Sequence, residues 1–115
     1  MRKTDKKIDN AIRDALTLVC DHAQLSFEGF QWLTHCVNYD NFPNSLKIIC
    51  IFNTDEQLAN LRQGDYGRLL RQLIKQHLAD INVVIKNVDK QVLFDSEQAC
   101  VTTHNGKWAQ KLAQH

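Results

Sequence analysis

The segment from Leu46 to Phe52 limits the possible folds more than any other part of this chain. Its sequence, LKIICIF, has apolar residues on both sides of a strand-like alternation, and only Lys47 is plainly polar. A strand that is apolar on both faces usually has another layer of structure over each of them. We therefore expect this strand to be covered on both sides.

The residues before this strand predict a helix and a first strand. From Thr4 to about Gln24, apolar residues recur at helical spacing among charged ones, which indicates an amphipathic helix with Thr4 or Asp5 as its N-cap. Phe30 to Tyr39 is rich in aromatic and β-branched residues and predicts a strand. The turn sequence DNFPN follows, so we expect the second strand to return beside the first.

The middle of the chain predicts a helix with an interruption. Thr54 and Gln57 fit a capping box, in which each side chain bonds the backbone of the other residue, so a helix should begin at Asp55. Gly64 and Gly67 break the apolar periodicity, since each glycine costs about 1 kcal/mol relative to alanine inside a helix. The leucine-rich pattern then resumes, which fits one helix kinked at these glycines or two helices joined by a short loop.

Two short β-rich runs follow, Ile81 to Val88 and Gln91 to Phe94, and they fit two short strands or one bent strand. A chain of 115 residues fits one domain. The sequence thus predicts a single α+β domain over residues 1–115, in the order helix, strand, strand, helix, short strand or strands, helix. We expect the first and central helices to pack on one face of a small mixed or antiparallel sheet.

The last part of the chain predicts a capped helix and a packed tail. Asp95 or Ser96 suits the N-cap, and Asn105-Gly106 suits a C-cap with positive φ. Trp108 lies beyond that cap, and an indole of this size usually packs against other residues.

Composition favours a compact cytoplasmic protein. The formal net charge is only +1, so affinity for nucleic acid or membranes would have to come from a local patch. No apolar run reaches the roughly 20 residues that span a bilayer, and none of signal-peptide type follows the charged start, so we expect no membrane association. In the cytoplasm, free thiols are expected at all four cysteines, which are Cys20, Cys36, Cys50 and Cys100.

The sequence contains no signature of catalysis or metal binding. Cys100 and His104 form the single pair at helical ligand spacing, and no Cys-x2-4-Cys motif accompanies them. No local feature marks an activated nucleophile. The sequence therefore predicts a protein without catalytic activity, bound metal or cofactor.

The order helix, Gly64-Asp65-Tyr66-Gly67, helix, strand resembles the core of a KH domain. In KH domains a Gly-x-x-Gly loop between two helices lets a nucleic-acid backbone approach closely, so the resemblance implies RNA binding at Gly64 and Gly67. An ordinary helix-loop-helix connection is the alternative, because so short a motif often arises by chance.

Arg68, Arg71 and Lys75 follow the second glycine at spacings of three and four residues. Residues at these spacings share one helix face and are suited to a phosphate backbone. We therefore predict a nucleic-acid-binding module, for RNA before DNA, with a solvated helix face as the alternative.

A second hypothesis concerns the spare apolar face of the Leu46–Phe52 strand. Ile49 and Ile51 lie on the side of the strand opposite Ile48 and Cys50. Together with Trp108 they predict a protein-interaction or homodimer surface.

Three segments together resemble a family of small uncharacterised gammaproteobacterial proteins. They are the start MRKTDKK, the centre GFQWLTH and the end, FDSE with NGKW. Members of that family are sometimes labelled Fis-type transcriptional regulators, which implies an all-helical dimer ending in a DNA-binding helix-turn-helix. The β-rich segments of this chain predict an α+β fold instead, and no DNA-reading residue is assigned from the resemblance.

Overall fold

The second strand lies at the centre of a three-stranded sheet, and helices surround that sheet. The computed structural model describes residues 2–115. β1 pairs with β2 antiparallel, and β2 pairs with β3 parallel, so the sheet order is β1-β2-β3. This α+β architecture confirms the predicted fold class. In chain order the elements are α1 (Lys3–Ser26), β1 (Phe30–Cys36), a 3-10 turn (Tyr39–Asn41), β2 (Lys47–Phe52), α2 (Asp55–Gln63), α3 (Tyr66–Ala79), α4 (Val88–Gln91), β3 (Val92–Ser96), α5 (Glu97–His104) and α6 (Trp108–Leu112).

Both faces of β2 are covered, as its sequence predicts. Ile48, Ile49, Cys50, Ile51 and Phe52 have no exposed surface. Alternate residues of the strand face opposite ways. The side bearing Ile48, Cys50 and Phe52 belongs to the main core, to which α1 contributes Ile12, Leu16 and Val19 and α3 contributes Leu70, Ile74 and Leu78.

The start of α1 differs from the prediction. The helix begins at Lys3, and its N-cap is Arg2, which has extended backbone and no side-chain cap bond. Thr4 and Asp5 therefore lie inside the first turn. Asp5 accepts a bond from the Nε of Arg2 at 3.1 Å instead of capping the helix.

The central helical region consists of two helices, α2 and α3. The predicted capping box begins α2, because the Thr54 hydroxyl accepts from the Gln57 amide and the Gln57 side chain accepts from the Thr54 amide, each at 3.2 Å. Gly64 ends α2, while Gly67 is buried within the first turn of α3. A Cβ at position 67 would lie 3.5 Å from the Leu61 carbonyl oxygen, an ordinary van der Waals distance, so helix packing here does not require glycine.

The strand predicted within Ile81–Val88 is wrong. α3 is followed by a turn in which Asn82 has φ +64° and the Val83 amide bonds back to the Leu78 carbonyl at 2.9 Å. Val83 and Ile85 are buried, but their segment is irregular and β3 runs from Val92 to Ser96. A strand needs a neighbour for its backbone groups, and residues 81–88 pair with none of β1, β2 and β3.

Candidate functional site

The five predicted nucleic-acid-binding residues do not form one exposed basic surface. Arg68 and Lys75 are exposed, but Gly67 is buried. The Arg71 guanidinium donates two bonds to the Val92 carbonyl, at 3.3 and 3.2 Å, and lies 4.6 Å from the centre of the Phe94 ring. Arg71 thus ties α3 to the edge of β3.

Acidic side chains lie close to these arginines. Asp65 lies 4.0 Å from the Arg68 guanidinium, and Asp89 lies 3.9 Å from that of Arg71. Their negative charges weaken the field that this helix face offers to a phosphate backbone. Binding of nucleic acid by this face stays a prediction.

Two of the predicted interaction residues, Ile49 and Ile51, lie on the second face of the sheet, and the third, Trp108, belongs to the C-terminal segment, residues 105–115, which lies over this face. Ile49 and Ile51 are fully buried within the single chain. Trp108 packs edge-to-face on Trp32, with ring centres 5.1 Å apart. Docking of a partner on Ile49 and Ile51 would therefore require the C-terminal segment to move away.

Polar bonds hold this C-terminal segment in place. The Glu97 carboxylate accepts from the indole N–H of Trp32 at 2.6 Å and from that of Trp108 at 2.9 Å. Asp95, which is buried on β3, lies 2.7 Å from the His115 ring and 3.4 Å from the Lys111 ammonium.

A wide hollow lies between α1 and the outer edge of β1. Its volume is about 850 Å³. We call it the α1–β1 groove. Five consecutive residues, 33–37, line one wall, and α1 contributes Asp9, Arg13, Leu16, Thr17, Cys20 and Asp21 to the other.

A buried carboxylate lies at one end of the α1–β1 groove. Asp9 is only 8% exposed, and one of its oxygens accepts from the Tyr39 hydroxyl at 2.6 Å and contacts the His35 Nε2 at 2.9 Å. Its other oxygen lies 3.3 Å from the Arg13 Nε. Asp9 therefore joins α1 to the end of β1 and to the 3-10 turn that follows it.

These contacts set the acidity of the cluster. The bonds from Tyr39 and His35 outweigh burial and hold the pKa of Asp9 below its usual value, with further help from the charge of Arg13. Burial and the adjacent carboxylate raise the pKa of Tyr39 well above its usual value. Burial, together with the charge of Asp21, also raises the pKa of the Cys20 thiol, so Cys20 is not an activated nucleophile.

The lowered pKa of Asp9 makes stability depend on acid. Because the folded-state pKa lies below the unfolded value of about 3.9, this carboxylate stabilises the fold above that pH, and the contribution is lost as pH falls through the folded pKa. We expect Asp9→Asn to be less stable than the natural chain at pH 7 and the difference to shrink below about pH 4. Urea unfolding at several pH values measures the difference in the free energy of unfolding. The control variant is Asp14→Asn, because Asp14 lies on the same helix and is exposed. Parallel pH profiles for the natural chain and Asp9→Asn would contradict the assignment.

A second depression lies at the C-terminal half of α1, between this helix and α2 and α3, and it is polar where Glu28, Gln57 and Asn60 line it and mainly apolar beside α3. Two adjoining hollows of about 180 and 320 Å³ share Ser26, Phe27 and Tyr66 as lining residues. We call them together the α1–α3 groove. The Phe27 and Tyr66 rings meet edge-to-face with centres 6.2 Å apart. His22, Leu69 and Leu73 line the larger hollow.

Large apolar side chains stand exposed around the α1–α3 groove. Leu25 is 91% exposed, Leu18 59%, Tyr66 58% and Leu69 46%. Leu18 and Leu25 lie on the same stripe of α1 as the groove residue His22, at spacings of four and three residues. The larger hollow and these exposed side chains therefore form one unpartnered, mainly apolar surface.

Sequence reasoning missed both grooves. Asp9 meets His35 and Tyr39 across 26 and 30 residues of chain, and no local pattern connects them. Leu18 and Leu25 gave a weak indication of an exposed apolar surface, because both leucines lie outside the buried stripe of the amphipathic helix α1.

Comparison of the chain with protein-family models, curated proteins and solved structures gives no match. The family and KH resemblances stay predictions. Among residues 2–115 no three His, Cys, Asp or Glu side chains are placed to hold a metal ion. No helix in this part of the chain has the length and apolar character needed to cross a bilayer.

Proposed function

We propose that this protein is a protein-interaction module that binds an amphipathic helix of a partner protein in the α1–α3 groove. The observation that supports the proposal most directly is the exposure of Leu18, Leu25, Tyr66 and Leu69 beside a mainly apolar hollow between α1 and α3. Exposed apolar patches of this kind are typical of interaction sites, and Tyr is enriched among residues that dominate binding energy.

The shape of the groove favours a helix as the occupant. Two packed helices with apolar rims accept the apolar stripe of a third helix, whose anchors recur every three or four residues. Four exposed side chains fall short of the roughly 800 Å² per partner that a standard protein interface buries. A single helix therefore suits this surface better than a second copy of the whole chain.

Charge at the rim favours a basic partner. Asp14 and Asp21 are exposed on α1, and each lies four residues before one of the two rim leucines. They attract Lys or Arg on the flank of the bound helix and disfavour nucleic acid and anionic membranes.

Selection from a displayed library of 18-residue amphipathic helices tests this proposal. We expect enrichment of sequences with apolar residues at helical spacing and Lys or Arg along one flank. Leu25→Asn with Leu69→Asn should weaken binding of the best peptide by tenfold or more, because each buried leucine contributes about 1.5–3 kcal/mol.

Val101→Asn provides the matched control. Val101 is 62% exposed but lies on α5, away from the groove, so this variant should bind the selected peptide like the natural chain. Three results would overturn the proposal: no enrichment, enrichment of acidic or unpatterned peptides, and equal weakening by the control. Tighter association with phosphatidylglycerol vesicles than with any peptide would assign the surface to membranes instead.

A further inference from the structure

We propose a second binding site in the α1–β1 groove, which accepts an extended peptide segment as an additional strand on the outer edge of β1. This site lies on the other side of α1 from the α1–α3 groove and takes a ligand of different conformation, although Asp21 borders both grooves. The proposal follows from the backbone groups of β1 that face the groove.

Within residues 2–115, β1 has β2 as its one strand neighbour, so half of its backbone groups point away from the sheet. One contact identifies which half. The Gln31 carbonyl accepts from the Gln24 side chain at 2.8 Å, so Gln31, at the register irregularity between Phe30 and Trp32, directs its carbonyl toward α1.

The alternation of an antiparallel strand extends this pattern to the rest of the edge. Thr34 and Cys36 then face β2, while the Leu33 carbonyl, both backbone groups of His35 and the Val37 amide face the groove. No described side chain or backbone group bonds to these four. They form a row of donors and acceptors with the spacing of a strand edge.

The groove is shaped to hold such a strand. Its volume of about 850 Å³ accommodates a short extended segment, and α1 forms a wall along the open edge. Cys20, which is half-buried, gives that wall an apolar part against which a side chain of the peptide packs. The contacts of Asp9 with His35 and Tyr39 fix α1 to one end of β1, so the gap is held by the fold before a peptide arrives.

Binding of a peptide as an additional strand requires free backbone N–H groups on the peptide. Backbone hydrogen bonds supply affinity, whereas the apolar wall selects residues at every second position of the peptide. Methylation of the peptide amides that face β1 removes the donors without removing the side chains. Such methylation should therefore abolish binding, while methylation of the alternate amides should not.

The test uses capped pentapeptides with Val, Ile or Leu at positions 1, 3 and 5 and Thr at positions 2 and 4. We expect the best of them to slow hydrogen exchange of the His35 and Val37 amides by about tenfold. Its methylated form should lose this protection, and the form methylated at the alternate amides should keep it.

Thr17→Trp fills the groove from α1 and should abolish the protection. Thr102→Trp is the control, because both threonines are exposed, helical and bonded through their hydroxyls to the carbonyl four residues earlier, at 2.8 and 2.9 Å. Absence of protection by any peptide, or equal protection by both methylated forms, would overturn the proposal. If protection of these amides rises with protein concentration in the absence of peptide, the proposal is overturned, and the result indicates pairing between the β1 strands of two copies of the chain.

Discussion

Replacing Gly29 with alanine is expected to lower the free energy of unfolding by about 3 kcal/mol. Gly29 has φ +85°, a conformation that alanine adopts only with strain. A Cβ at this position would also lie 2.9 Å from the Cβ of Gln57 and closer still to its amide group. Because that amide completes the capping box of α2, the added methyl group would displace the cap as well as strain the turn that begins β1.

Gly106→Ala separates these two causes. Gly106 has a similar φ of +79°, but a Cβ there would meet no atom within 4 Å. This variant should lose only about 1 kcal/mol, the cost of the backbone strain. Urea unfolding of both variants at pH 7 measures the difference. Equal losses would show that the contact with Gln57 relaxes at no cost, contrary to the expectation.

Features encoded by neighbouring residues could be predicted from the sequence. The capping box of Thr54 and Gln57, the N-cap at Ser96 and the positive φ of Asn105 and Gly106 all depend on residues a few positions apart. Each is fixed by local hydrogen bonds or by backbone freedom, and a short pattern contains that information.

Features that depend on tertiary partners could not be predicted in the same way. Helical spacing correctly places Arg71 on one stripe with Arg68 and Lys75, but spacing does not show what that stripe faces. The Val92 carbonyl and the Phe94 ring engage Arg71 from more than 20 residues away. The same limit explains the wrong prediction of a strand near Val83, since β propensity describes a residue, while a strand also needs a neighbouring strand that pairs with it.

The two-sided apolar character of β2 predicted that both its faces are covered, without showing by what. A partner protein or the chain's own C-terminal segment could cover Ile49 and Ile51. The hydrophobic effect is non-directional, so the apolar pattern of the strand does not distinguish these two ways of covering it. The indole bonds to Glu97 and the contacts of Asp95 with Lys111 and His115 place the tail over this face. The C-terminal segment thus occupies the surface that the sequence offers to a homodimer.

Replacing Trp108 with alanine is expected to release this segment and to create the docking surface that the natural fold covers. The change removes the edge-to-face contact with Trp32 and the bond to Glu97, so the free energy of unfolding should fall by about 2–3 kcal/mol. Displacement of α6 then exposes Ile49 and Ile51, whose neighbours on the same face include Trp32 and Asp95. Apolar area of this kind drives association.

The measurements are binding of the dye 1-anilinonaphthalene-8-sulfonate and the molar mass by light scattering over a range of protein concentrations. Trp108→Ala should bind the dye more strongly than the natural chain, and its mean mass should rise with concentration. Trp108→Phe keeps an aromatic ring against Trp32 and loses only the indole N–H, so it should lose about 1 kcal/mol and stay close to the natural chain in dye binding. If Trp108→Ala neither binds the dye nor gains mass, the contacts of Lys47 and Asp95 with His115 hold the tail without the indole, and the surface beneath it is closed to partners.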